Sequence, residues 1–211
     1  MKRIFTLAGL SLFLFLLQNS NFLYAQNESI IVTSVQGGPY IMREGKTIPA
    51  SVGMACRKDD TLVTNENCVL DVAVNGMAGC RLLPSSECAV MNATESAMHL
   101  KITNGNAILN LKKLPPASTF QLETPTAIAG VRGTQFWGRV DLKEAENPVT
   151  TFAVREGTVD IFAKFAAKNF SLNKGEALDI PKSQAAAPII RPALAEELLA
   201  MEQADAIKTS A

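Results

Sequence analysis

The chain is 211 residues long, 47% hydrophobic and 19% charged, which is enough apolar material for one domain of moderate size with a buried core. Twenty basic residues balance twenty acidic ones and are scattered along the sequence. That distribution excludes a nucleic-acid surface, which needs Lys and Arg gathered on one face.

Met1-Lys2-Arg3 is a short basic start, Ile4 to Leu17 is an apolar run, and Gln18 to Ala25 is a polar segment closing in Leu-Tyr-Ala. This is the pattern of a secretory signal peptide cleaved after Ala25, although Leu23 is larger than the ideal residue at its position. The run is short for a membrane span, which needs around 20 residues. An uncleaved anchor is the lesser alternative, and no stable span is expected after cleavage. Removing residues 1–25 takes away Lys2 and Arg3, leaving eighteen basic residues against twenty acidic. The remainder is read as periplasmic or otherwise exported, with a β domain over 26–180, a linker over 181–192 and an amphipathic helix over 193–208.

All four cysteines, Cys56, Cys68, Cys80 and Cys88, follow the signal segment. An even count in an exported protein predicts two disulfides. Three connectivities are open; the symmetry of Cys80 and Cys88 about Pro84 weakly favours Cys80 with Cys88 and Cys56 with Cys68. Zinc is the rival, but no C-x-x-C pair is present, and no metal or other cofactor is expected.

The strand signals begin at Ser29 to Ser34, followed by a turn at Gly37-Gly38-Pro39 and another at Glu44-Gly45. Cys68, Leu70, Val72 and Val74 then alternate with polar or small residues and end in Asn75-Gly76, a strong hairpin or corner signal because both residues tolerate positive φ. The device recurs at Asn104-Gly105, at Glu156-Gly157 and at Lys174-Gly175, each between two apolar alternations. No helix-length segment separates these strands, which argues against an α/β protein. The fold class is all-β with a C-terminal α-helix; a twisted β-solenoid and a β-sandwich of hairpins both fit.

The most informative stretch is Thr124 to Trp137, T-P-T-A-I-A-G-V-R-G-T-Q-F-W. Its Thr, Ile and Val favour strand, and Pro125 sets an extended start. Thr134, Phe136 and Val140 alternate with Gln135, Trp137, Arg139 and Asp141, while Ala127, Ala129 and Val131 have the parity opposite to Phe136. If both halves face one core, Gly130-Val131-Arg132-Gly133 holds a bulge or corner that shifts the parity by one residue. Arg132 either pins the carbonyls freed there or lies along the surface with its head in water. Gln135, Trp137 and Arg139 share the other face. An aromatic beside an arginine has the composition of an interface centre, and cover from within the chain, by the C-terminal helix or by a neighbouring coil, is the equal alternative.

T-P-T-A-I-A-G-V-R-G-T-Q-F resembles the signature of the FecR domain, carried here by Thr124, Pro125, Ala127, Gly130, Val131, Arg132, Gly133, Thr134 and Phe136. V-R-E-G-T-V-D-I and L-N-K-G-E-A-L-D-I resemble the closing strands of that domain. V-G-M-A-C-R-K-D-D-T-L-V-T-N resembles its opening, with Asp59-Asp60 where Gly-Asp is commoner. The resemblance covers about residues 30 to 180 and implies a twisted β-solenoid-like fold. It also implies a module on the periplasmic side of a membrane-anchored regulator, contacting the signalling domain of an outer-membrane receptor. Neither a cytoplasmic anti-sigma segment nor a transmembrane helix is legible, so a stand-alone exported form that does not relay a signal by itself is expected. In the family the four cysteine positions are usually apolar core residues.

Beyond Ile180 the small, proline-punctuated stretch to Pro192 precedes Ala193-Leu194-Ala195-Glu196-Glu197, where proline and early glutamates suit a helix start. Leu194, Leu198 and Met201 trace a narrow stripe, so the helix should dock, either capping an open end of the domain or meeting a partner. His99 is the one histidine and falls on the polar parity of its strand. No P-loop, G-x-S-x-G or H-E-x-x-H is present. The expectation is a non-catalytic module that binds another envelope protein or senses a signal, with an envelope scaffold or cell-surface assembly protein as the alternative; the oligomeric state is open. N-terminal sequencing of the chain recovered from the cell envelope should begin at Gln26, and a start at Met1 would show that the apolar run is retained.

Overall fold

The computed structural model describes residues 30–94, 96–131, 133–142, 147–183, 186–205 and 207; the signal segment 1–25 and Arg132 lie outside the described residues. The strands are β1 (Ile30–Gln36), β2 (Tyr40–Arg43), β3 (Lys46–Pro49), β4 (Ala55–Cys56), β5 (Thr61–Thr64), β6 (Val69–Val74), β7 (Ala78–Leu82), β8 (Ser86–Ala93) and β9 (Ala97–Leu111). They continue as β10 (Thr119–Glu123), β11 (Ala127–Val131), β12 (Gln135–Asp141), β13 (Val149–Glu156), β14 (Thr158–Ala163), β15 (Lys168–Asn173), β16 (Glu176–Pro181) and β17 (Ile189–Pro192), and a helix, α1 (Ala195–Glu202), follows.

Two open sheets face each other. The first runs β4-β1-β6-β7-β9-β12-β13-β16-β17. The second runs β3-β2-β5-β8-β9-β10-β11-β14-β15. Neighbours are antiparallel except β9 and β10, which are parallel. β9 belongs to both sheets: Met98 to Asn104 pair with β8, and Gly105 to Asn110 pair with β12. The protein is therefore all-β with one short C-terminal helix, and it combines both expected architectures. Its sheets stack face to face as in a sandwich, while its chain crosses from sheet to sheet as in a coil.

The crossings fall at glycines. After β9 the hairpins alternate between sheets: β10 with β11 in the second, β12 with β13 in the first, β14 with β15 in the second, β16 with β17 in the first. Gly133, Gly157 and Gly175 sit where the chain changes sheets, with φ of +66°, +81° and +81°, and Gly105 (φ +80°) marks the crossing inside β9. Only glycine reaches such angles without steric cost. Two of these corners are also too crowded for a side chain. A Cβ at Gly105 would lie 2.4 Å from Ser85 O and from Ser86 Oγ, and one at Gly157 would lie 2.6 Å from Thr134 Cγ2.

The core lies between the sheets. Leu70, Val72, Leu109, Phe136, Phe152, Val154 and Leu178 of the first meet Leu62, Val90, Leu100, Ile102, Leu122, Ala129 and Ile161 of the second. The Phe136 and Phe152 rings sit 6.4 Å apart at 46°, inside the favourable tilted range. Gly138 makes room for this contact, because a Cβ there would stand 3.0 Å from Leu122 Cδ2 and 3.3 Å from the Phe152 ring. Buried polar groups tie the layers: the Thr150 hydroxyl of β13 donates to Thr124 Oγ1 at 2.9 Å, and Thr124 Oγ1 accepts the Ala127 N–H at 3.0 Å. Asp60, buried, takes two guanidinium hydrogen bonds from Arg43 at 2.8 and 2.6 Å and the Arg57 N–H at 2.7 Å.

Three sequence expectations are corrected. The cysteines are free thiols, not disulfides. Cys80 lies opposite Val72 and Leu109 in the first sheet, and Cys88 lies opposite Leu62 in the second. Cys56, on β4, pairs with Ile30 of β1, and Cys68 Sγ accepts the Gly38 N–H at 3.1 Å. A buried thiol packs as a small apolar side chain, so an even count in a core does not require bridges. Second, residues 181–192 hold the strand β17 where a linker was expected. Third, the helix spans Ala195–Glu202, half the expected length, and a turn carries the chain on to Asp205.

Gly105→Ala should destabilise the protein by roughly 3 kcal/mol or more, combining positive-φ strain with overpacking. Gly175→Ala, where φ is also positive but nothing lies within 4 Å, should cost about 1 kcal/mol. Urea unfolding of the two variants checks the difference, and equal costs would refute the crowded crossing. Burial pushes the Cys56 and Cys88 thiols up to about 12 and Cys80 well above its usual range. The native protein at pH 8 should therefore resist thiol reagents, and unfolding without reductant should release four reactive thiols per chain; prompt native labelling or a shortfall would contradict this.

Candidate functional site

The outer face of the first sheet carries the most developed surface among the described residues. Register alone builds it: one rung runs from Asp71 on β6 through Arg81, Ile108, Trp137, Ala153 and Ala177 to Arg191 on β17. Ionic groups mark its two ends and apolar groups its centre. On a solvent-facing rung those apolar residues would be out of place, and α1 covers them. Ile108, Trp137, Ala153 and Ala177 pack against Met201, Ala204 and Ile207 in a second core separate from the one between the sheets.

Three arginines hold the helix across the strands. Arg191 donates to both oxygens of Glu197, at 3.0 and 2.6 Å, and to Asp179 at 2.7 and 3.3 Å. Asp179 in turn accepts the Thr151 hydroxyl at 2.7 Å. These carboxylates raise the Arg191 pKa further, Glu197 contributing most. Glu197 also accepts the Leu194 N–H at 2.7 Å. That is half of a capping box; Leu194 has no side-chain oxygen to supply the other half.

Arg81 and Arg155 hold the helix's far end. Arg81 is clamped by Asp71 at 2.7 Å through two nitrogens and donates to the Gln203 carbonyl at 3.0 Å. Arg155 donates to Gln135 Oε1 at 2.8 Å and is ion-paired with Asp205. Hydrogen bonds from Arg155 and then Gln135 lower the Asp205 pKa. The Gln135 amide bridges the Met201 carbonyl at 3.0 Å and Asp205 at 2.9 Å.

Of the candidate interface residues, Gln135 and Trp137 are thus brought together beneath α1, the internal cover that the sequence left as an alternative. Arg139 stands apart, paired with Asp141 at 2.9 Å. The motif residues divide by sheet: Ala127, Ala129 and Val131 turn inward on β11, Phe136 turns inward on β12, and Gly133 makes the corner between them. The shift of parity is a change of sheet. Sequence reasoning missed Arg81, Arg155 and Arg191 as members of the site. Ala153 and Ala177 were the available signal, because small apolar residues at outward parity mark a covered face.

His99 lies at the opposite surface, on the outer side of the second sheet, with Nε2 2.9 Å from Glu123 Oε2. Glu123 also meets Lys164 at 2.8 Å and Lys101 at 3.4 Å. Among the described residues no group of three or more His, Cys, Asp or Glu side chains is placed to hold a metal ion, and no helix is long and apolar enough to cross a membrane.

The FecR protein family model matches residues 60–160. No curated protein matches the chain. Two crystal structures of a candidate anti-sigma factor from Parabacteroides distasonis share the fold. Each is 15% identical to this chain and covers 68% of it, with TM-scores of 0.57 and 0.56. The present chain spans 64% of the length of those proteins. Sheets that cross at glycine corners, the Thr124 to Phe136 motif at one such corner, and these matches agree: residues 60–160 of this chain are a FecR domain.

Proposed function

We propose that this chain is an exported, non-catalytic protein-binding module of the FecR type, and that it takes an extended segment of another envelope protein as an added strand along β17. The observation that carries the reading is the edge itself. β17 pairs only with β16 among the described strands, and it leaves Ile189 63% and Ile190 47% exposed. Both edges of the second sheet are blunted: β3 runs from Lys46 to Pro49, and β15 presents Lys168 and Asn173. An open apolar edge offers unpaired backbone for hydrogen bonding and side-chain positions for selectivity. Pro188 and Pro192 flank it and limit the added strand to about three residues, because proline cannot donate to a ladder.

The signal-peptide pattern supports an exported location, and the FecR match supports a binding role over a reaction. The scaffold alternative uses the same edge, since two copies could pair their β17 strands about a twofold axis.

A photocrosslinker at position 189 of the full chain, in cells, should yield one adduct with an envelope protein. Ile190→Lys should reduce that adduct at least tenfold with no change in the unfolding midpoint. Adducts between two copies of the chain would favour assembly, and an adduct insensitive to Ile190→Lys, or none at all, would sink strand addition at this edge.

A further inference from the structure

We propose that the outer face of the first sheet beneath α1 is a docking groove for an acidic amphipathic helix of a partner protein, with α1 as a resident occupant that the partner displaces. The site is a sheet face and not the β17 edge, so it stands apart from strand addition.

Charge complementarity defines the occupant. The apolar floor of Ile108, Trp137, Ala153 and Ala177 is ringed by Arg81, Arg155 and Arg191. α1 meets that ring with Glu197 near its start and Met201 at the next inward position, and the turn after it adds Ala204, Asp205 and the Gln203 carbonyl. The spacing is an acid at i and an apolar group at i+4 on α1, then an apolar group at i+7 and an acid at i+8 on the turn that follows it; on one continuous helix the same spacing places all four on one face. Any helix with that face fits the same ring.

The resident helix leaves the groove incompletely used. Trp137 is 7% exposed, yet its indole Nε1 donor has no acceptor among the described residues. A buried donor without a partner is destabilising, and an occupant with an acceptor at that point recovers the loss. α1 is also weak as a helix: it has eight residues, no side-chain N-cap and no basic residue in its last turn. Leu194, just before α1, and Leu199 on it remain 48% and 53% exposed with α1 docked. Helix formation and docking are coupled here, and a longer helix that is stable on its own competes without that ordering cost.

Trp137 is the one tryptophan in the chain, so its emission reports the groove directly. In the full mature chain, Met201→Ser with Asp205→Asn should red-shift Trp137 while the sheet signal in circular dichroism stays unchanged. The probe is a designed 20-residue helical peptide that keeps only the acid, apolar, apolar, acid spacing, with leucine at the Met201 position and no other likeness to this chain. It should restore the blue emission and bind the doubly substituted chain at least tenfold more tightly than the wild type. The same peptide with lysines for its acids should not bind. Asp205→Asn alone, a milder change at an exposed side chain, should fall between the two, which keeps the test open if the double variant is unstable. Equal affinity for wild type and variants, no restoration of emission, or equal binding of the lysine peptide would overturn the proposal.

Discussion

The structure depends on a steric constraint: the chain passes from one sheet to the other where backbone must approach backbone at positive φ. Gly105 carries the strictest instance. There β9 leaves β8 and joins β12 without ending, and the backbone of Ser85 and Ser86 comes close enough to exclude a methyl group. Through that crossing one strand belongs to both layers, and the hydrophobic surface between them is buried from both sides. The later corners repeat the requirement. Gly157 fits against Gly133 and Thr134, so one crossing serves as the seat of the next.

Inward and outward faces follow from those crossings and do different work. Because each crossing resets parity, large apolar residues on both sheets point at one another, and the inner layer is a dense core of the usual kind. The outer rung from Asp71 to Arg191 is then assembled across strands far apart in sequence, each contributing one side chain. A helix binds there through a few apolar contacts with ionic groups at both ends. Such a surface owes its stability to the sheet and not to its occupant, which is why it can hold a helix too short to persist in water.

Much of the fold was legible in the residues because period-two alternation is a local signal. The reversed parity of Val131 and Phe136 announced a corner at the glycines, and Cys68 through Val74 announced a strand. What was not legible depended on distant neighbours. Asn75-Gly76 and Asn104-Gly105 are the same dipeptide, yet the first closes a hairpin within one sheet and the second crosses between sheets; the difference lies in Ser85 and Ser86, which the local sequence does not contain. The cysteines misled because an even count in an exported chain predicts bridges, while an inward position such as that of Cys68 beside Leu70, Val72 and Val74 suits a packed free thiol equally well. Pro188-Ile189-Ile190-Arg191-Pro192 reads as a linker because its strand is short and bracketed by prolines. Trp137 lay evenly between partner and internal cover, since both readings need the same outward-facing aromatic. The arginine ring escaped notice because its members are about 36 to 110 residues apart and meet only through register.

A chain that lays down hairpins on alternate sheets has no built-in length. Each new hairpin ends at a glycine that hands the backbone across, and the next begins with its apolar residues already pointing inward. Growth by hairpin pairs would therefore leave both faces intact, and the outer groove would simply gain two more strands of width. Growth by a single hairpin would put all later strands on the wrong layer, and one extra residue within a strand would turn its core side outward. Such a lineage should lengthen or shorten in whole two-hairpin steps, with the size of its binding face rising and falling in the same increments.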